Sequence, residues 1–158
     1  MSNLPAIPKS ANRYCGPAAI AAIAGCTPDE AADKLSGVRN ANNRWHGRQV
    51  SGKGIKGTYD HEVKKALNWL GFRMTSVDHT DGHITPLANE KFKAWAVRTE
   101  ALRGDRLFLV SSGRHWRVVK GWQSVCGQKR EPHHTNCAVQ PGSKVRAVFE
   151  IRPIKNAA

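Results

Sequence analysis

The stretch Tyr14-Cys15-Gly16-Pro17-Ala18-Ala19-Ile20 decides the reading of this chain, because it carries an irregular segment into an apolar helix with a cysteine at the joint. Pro17 has a fixed φ and no backbone N–H, so it suits the first helical turn. Ala18, Ala19, Ile20, Ala21, Ala22, Ile23 and Ala24 continue as a small-residue helix, and Gly25 is placed to close it in a left-handed cap. The Cys15 sulfur then lies at a helix N-terminus, where free N–H groups and the macrodipole favour negative charge. The expected consequence is a lowered thiol pKa and a nucleophilic thiolate. Far along the chain, Ser111-Ser112-Gly113-Arg114-His115-Trp116-Arg117-Val118-Val119 places a histidine at the start of a strand.

Working outward, residues 1–13 read as an irregular lead-in with Pro5 and Pro8. Thr27-Pro28-Asp29-Glu30 is a capping box with proline at the first helical position. It predicts a short helix carrying Ala31, Ala32 and Leu35 and stopped by Gly37. Residues 38–57 hold Arg39, Arg44, Arg48, Lys53 and Lys56 without an acid, and read as a long surface loop. From Asp60, the i, i+3, i+4, i+7 spacing of Val63, Ala66, Leu67 and Leu70 predicts a helix, with Gly71 as its C-cap. Phe72 to Val77 alternates as a strand does, and residues 78–88 read as a loop with Pro86. A helix over roughly 90–102 is expected to bury Phe92, Trp95, Ala96 and Leu102. Leu107-Phe108-Leu109-Val110 fits a buried strand, His115 to Trp122 its antiparallel neighbour, and Val145 to Ile151 a last strand. Helices first and strands mostly later predict an α+β arrangement, with residues 1–158 as a single domain.

Composition bounds the function. A hydrophobic fraction of 40% and five tryptophans indicate a folded chain. Met1-Ser2-Asn3-Leu4-Pro5 has neither a charged n-region nor an apolar h-region, so a signal peptide is not expected. No apolar run approaches a membrane span, and a soluble protein made in a cytosol is the expectation. Four cysteines at scattered spacings do not resemble a disulfide framework. The formal charge of +13 favours polyanions: nucleic acid, an anionic surface or acidic proteins.

The motifs Asn12-Arg13-Tyr14-Cys15-Gly16-Pro17-Ala18-Ala19 and Gly113-Arg114-His115-Trp116-Arg117-Val118-Val119 resemble the papain-like cysteine peptidases. The closer resemblance is to the small bacteriocin-leader-peptidase-like branch and to similar short proteins encoded by bacteriophages. Gly57-Thr58, Glu62-Val63, Ala66-Leu67 and Leu70-Gly71 are similar to the middle of those phage proteins. The resemblance covers residues 12–25, 55–73 and 106–122, under half of the chain. It implies a papain-like fold, with an N-terminal nucleophile helix packed on a C-terminal antiparallel sheet that carries the histidine. It also implies a thiol hydrolase of peptide or related amide bonds that needs no cofactor, placed in a host cytoplasm or on a virion. Cys15 is then the nucleophile and His115 its ion-pair partner and acid. The Cys15 backbone N–H and the Asn12 side chain are the candidate oxyanion donors. Larger members use an upstream glutamine whose position here is Lys9. A third group, typically Asp or Asn, orients the imidazole from the next strand. Gln123, Gln128, Glu131 and Asn136 are the choices here, with Gln128 favoured.

Two further signals stay open. Cys126, His133, His134 and Cys137 lie within twelve residues and match no strong metal pattern. Unconnected loop residues, or a Cys126–Cys137 disulfide in oxidising surroundings, compete with zinc there. The basic loop, with Arg44, Trp45, Arg48 and Lys53, reads as a cradle for phosphates and bases, a selector of acidic substrate residues, or a solvated flank. The alternative to a hydrolase is a catalytically degenerate basic module that binds nucleic acid or a host protein.

Overall fold

The computed structural model describes residues 4–10, 14–42 and 57–155. Helix α1 spans Cys15–Ala24, and Gly25 closes it at φ 74° with its N–H on the Ala21 carbonyl at 2.9 Å. Helix α2 spans Pro28–Asn42. The predicted box is formed: the Thr27 Oγ1 accepts from the Glu30 N–H at 3.1 Å, and the Glu30 carboxylate receives the Thr27 hydroxyl at 3.1 Å. Gly37 does not stop this helix. A Cβ there would stand 3.3 Å from the Trp69 ring, so the glycine lets α2 pass close to the next helix, α3 (Asp60–Trp69).

Strand β1 (Phe72–Ser76) leads into a one-turn helix α4 (Val77–Thr80), where a loop was expected. Helix α5 spans Phe92–Arg103. Phe92, Trp95 and Ala96 are buried as predicted, but Leu102 is 50% exposed. The buried stripe continues through Thr99 to Arg103 instead, because those positions stay on one face at i+3/i+4 steps. Arg103 is fully buried without a carboxylate. Its guanidinium donates to Thr99 Oγ1 and to the carbonyls of Ala96 and Gly121, and it lies 5.1 Å over Trp95. Burial pushes its pKa down to about 10.

Strands β2 (Leu107–Ser112), β3 (His115–Lys120), β4 (Gln123–Cys126), β5 (His133–His134) and β6 (Val145–Pro153) join β1 in one antiparallel sheet of order β1-β6-β2-β3-β4-β5. The expected strand after the Ser112-Gly113 turn is present, while β4 and β5 occupy a segment that read as polar and irregular. Alternation divides the sheet. Leu109, Trp116, Val118 and Val125 face α1, α2 and α3, whereas Phe108, Val110, Val119 and Val148 face α5. The lead-in is irregular as expected, and Leu4 and Ile7 are buried in the α1 core, held by Leu4 N–H on Gln123 Oε1 and Ile7 N–H on the Arg130 carbonyl, both at 2.9 Å. No described helix is long and apolar enough to cross a membrane.

The junction of α2 and α3 is ionic. Buried Glu62 accepts Arg39 Nε and Nη2 at 2.8 Å each and the Tyr59 N–H at 3.1 Å. Arg39 also donates to the Gly57 carbonyl at 2.8 Å. The Arg39 guanidinium holds the Glu62 carboxyl below its usual range. A depressed folded pKa contributes stability above the unfolded value, and that stability is lost as pH falls through the folded one. Glu62→Gln is therefore expected to cost about 2 kcal/mol at pH 7, and progressively less as the medium is acidified below pH 4. Urea midpoints across pH check this; an equal loss at pH 7 and pH 3 overturns it.

Candidate active site

Tyr14 precedes α1 in extended conformation, so the helix begins at Cys15 itself. The first N–H in the helical ladder is that of Ala18, bonded to the Tyr14 carbonyl at 3.2 Å. The Cys15 and Gly16 N–H groups thus lie outside the ladder, and Pro17 has none to leave unpaired. Gly16 is required by space. A Cβ there would stand 2.5 Å from Thr58 Oγ1, and that same oxygen accepts the Trp116 indole N–H at 3.0 Å. Thr58 is the joint between the helix start and the strand that follows the histidine.

His115 opens β3 after a two-residue turn of Gly113 and Arg114. Gly113 sits at φ 59°, with its N–H on the Lys144 carbonyl at 2.9 Å, and a Cβ there would press on Ser143 at 3.2 Å. The turn brings His115 Nδ1 to 3.3 Å from Cys15 Sγ, joining side chains 100 residues apart. Among the described residues, Nε2 of His115 has no hydrogen-bond partner.

The two groups share a cleft of about 410 Å³, lined also by Gly57, Thr58, Asp60, Arg114, Gln128 and Arg146. Gln128 is exposed at the tip of a second tight turn, closed by the mutual hydrogen bonds of Cys126 and Lys129 at 3.0 and 3.2 Å. It enters the cleft without a hydrogen bond to His115. The other sequence candidates, Asn12, Arg44, Trp45, Arg48 and Lys53, lie outside the described residues.

The electrostatics correct one expectation. Burial pushes the Cys15 thiol up, not down, outweighing the backbone N–H groups of Trp116 and Gly127 and the Arg117 guanidinium, which favour the anion. The helix start alone does not make a thiolate here, and the group in hydrogen-bond contact with the sulfur is the His115 imidazole. Cys26 is also pushed up by burial, with Glu30 adding to the effect, and among the described residues no imidazole hydrogen-bonds to it. Arg117, only 1% exposed, reaches no carboxylate among the described residues: Nε donates to Ser112 Oγ at 2.7 Å, Nη2 to the Gln140 carbonyl at 3.1 Å, and the guanidinium lies 4.6 Å over Phe92.

The second cysteine-histidine group is not a set of loop residues, since Cys126 ends β4 and the two histidines form β5. All four cysteines are free thiols, and no cluster of three metal-ligating side chains forms among the described residues. Reasoning from sequence missed Arg146, which carries no motif. It also missed the bracing role of Thr58, although Gly57-Thr58 stood out as a dipeptide. Compared with protein-family models, with characterised proteins and with solved structures, the chain gives no match.

Proposed function

We propose that this chain is a papain-like thiol hydrolase that cleaves a peptide or related amide bond. The observation that carries the reading is the 3.3 Å approach of Cys15 Sγ to His115 Nδ1 in an open cleft. Transfer of the thiol proton to Nδ1 creates the ion pair. The thiolate attacks the carbonyl carbon, a C–S bond forms, and the oxygen takes the negative charge, where the Cys15 N–H is available as donor. Collapse breaks the C–N bond as His115 returns its proton to the leaving amine. Water, giving a proton to His115, then displaces sulfur to release the acid and restore the thiol. Gln128 is the cleft's available side-chain amide for holding the imidazole or the oxyanion.

Alkylation tests this directly. With iodoacetamide near pH 7, Cys15 is expected to react at least tenfold faster than Cys26, read by peptide mass spectrometry. Both thiols are half-buried and raised by burial, and Cys15 is the one in contact with an imidazole. Equal rates sink the proposal.

A basic binding module remains the second reading, favoured by His61, Lys64, Lys65 and Arg73 around a depression beside edge strand β1, in a chain of charge +13. Binding to unrelated DNA that weakens with salt supports it; no shift at low salt removes it.

A further inference from the structure

Four acids away from the cleft are taken up by arginines. Glu62 holds Arg39, Glu90 holds Arg98, and Asp81 and Glu150 hold Arg106, with Arg152 also on Glu150. Two cleft arginines are left out of this pairing. Arg114 and Arg146 are exposed and form no ion pair or hydrogen bond among the described residues. The acid lining the cleft, Asp60, is equally unpaired and opens α3 beside the cysteine wall.

The backbone aims both arginines. Arg114 is the second residue of the turn whose closing pair is Ser112 and His115, so it is fixed one step from the imidazole. Arg146 comes from the neighbouring strand. Ser111 pairs with Ala147 but Ser112 pairs with Val145, which leaves Arg146 as the extra residue of a β-bulge. A bulge bends its strand and re-aims one side chain, at the cost of ladder pairing. Here it places Arg146 in the lining of the cleft that Cys15 and His115 share, beside Ser111 and Gly113.

We infer that Arg114 and Arg146 form an anion subsite on the histidine wall of the cleft, so that the preferred substrate carries a carboxylate close to the carbonyl under attack. The inference rests on the hydrolase reading and narrows its substrate class. A guanidinium offers a carboxylate a two-pronged, charge-assisted contact, and two on one wall recognise it from either side. An acidic side chain and a free chain end present the same group.

Three bromoacetyl probes separate these sources without requiring peptide turnover: the aspartic acid α-amide, glycine with its free carboxylate, and the neutral asparagine α-amide. In each, the Cys15 sulfur displaces bromide. Cys26 in the same molecule corrects for the net charge. The anionic-to-neutral rate ratio is expected to be about tenfold higher at Cys15 than at Cys26, the value of one solvent-weakened charge-assisted bond. In the Arg114→Ala/Arg146→Ala variant it is expected to fall to the Cys26 ratio. A faster aspartate probe assigns the subsite to an acidic side chain, and a faster glycine probe assigns it to a chain end. An equal ratio at the two cysteines of the unsubstituted protein overturns the subsite, as does a ratio that survives the double substitution. If the neutral probe labels Cys15 no faster than Cys26, the hydrolase proposal itself fails, whatever the ratio.

Discussion

His115→Ala is expected to slow alkylation of Cys15 at pH 7 by about 100-fold. A thiol titrating near its ordinary value of 9.0 is roughly 1% thiolate at that pH. Burial pushes the isolated Cys15 higher still, so the variant holds little of the reactive form. On the hydrolase reading, the unsubstituted protein passes that proton to the imidazole 3.3 Å away and reacts as the anion. The gain is trimmed somewhat because a less basic thiolate is a weaker nucleophile. The shape of the pH profile carries more information than the rate. With His115 present, reactivity is expected on a plateau that falls away at acid pH as the pair takes up a proton. In the variant, a single rise is expected above pH 9, in the direction burial dictates. A variant with the same profile as the parent would show that the 3.3 Å contact moves no proton.

Gly16→Ala is the second large effect, although it adds one methyl group. The new carbon would meet Thr58 Oγ1 at 2.5 Å and Cγ2 at 2.9 Å, on a β-branched side chain with little freedom to swing aside. Overpacking of this kind costs about 1–3 kcal/mol, which lowers Tm by about 3–10 °C in a domain of this size. The larger consequence is local. Moving Thr58 breaks its bond to the Trp116 indole and tilts the helix start against the strand that holds the histidine. Loss of accelerated Cys15 labelling is therefore expected even at temperatures where the variant is folded. A variant that keeps both its Tm and its labelling rate would refute the bracing role of Thr58. Thr58→Val, which keeps the shape and removes the acceptor, separates the hydrogen bond from the crowding.

Much of this architecture was legible, and the parts that were not share a cause. Helices α1 and α3 and strand β1 follow from local periodicity, capping residues and glycine stops, which act within one turn or one pleat. The α+β layout, with an N-terminal helix on an antiparallel sheet, follows from their order. Helix α2 outran its predicted end because Gly37 answers to Trp69, on a different helix, rather than to its neighbours in sequence. Strands β4 and β5 are short and polar, and their pairing is set by β3 instead of by their own pattern. The burial of Leu4 and Ile7 within the irregular lead-in was not legible, because two isolated apolar residues beside prolines show no period. At the cleft, Cys15 and His115 could be named from their local settings and a family resemblance. Arg146 could not, because a bulge is a property of register between two strands and leaves no mark in either one.

The strand order has a consequence for synthesis. The last strand, β6, is inserted between β1 and β2 rather than added at an edge, so the sheet stays in two pieces until residues 145–153 have left the ribosome. The sulfur is made ahead of every strand, but the platform that seats its imidazole is unfinished until β6 joins it. A chain that has not yet added β6 is consequently expected, on the hydrolase reading, to carry a quiet thiol.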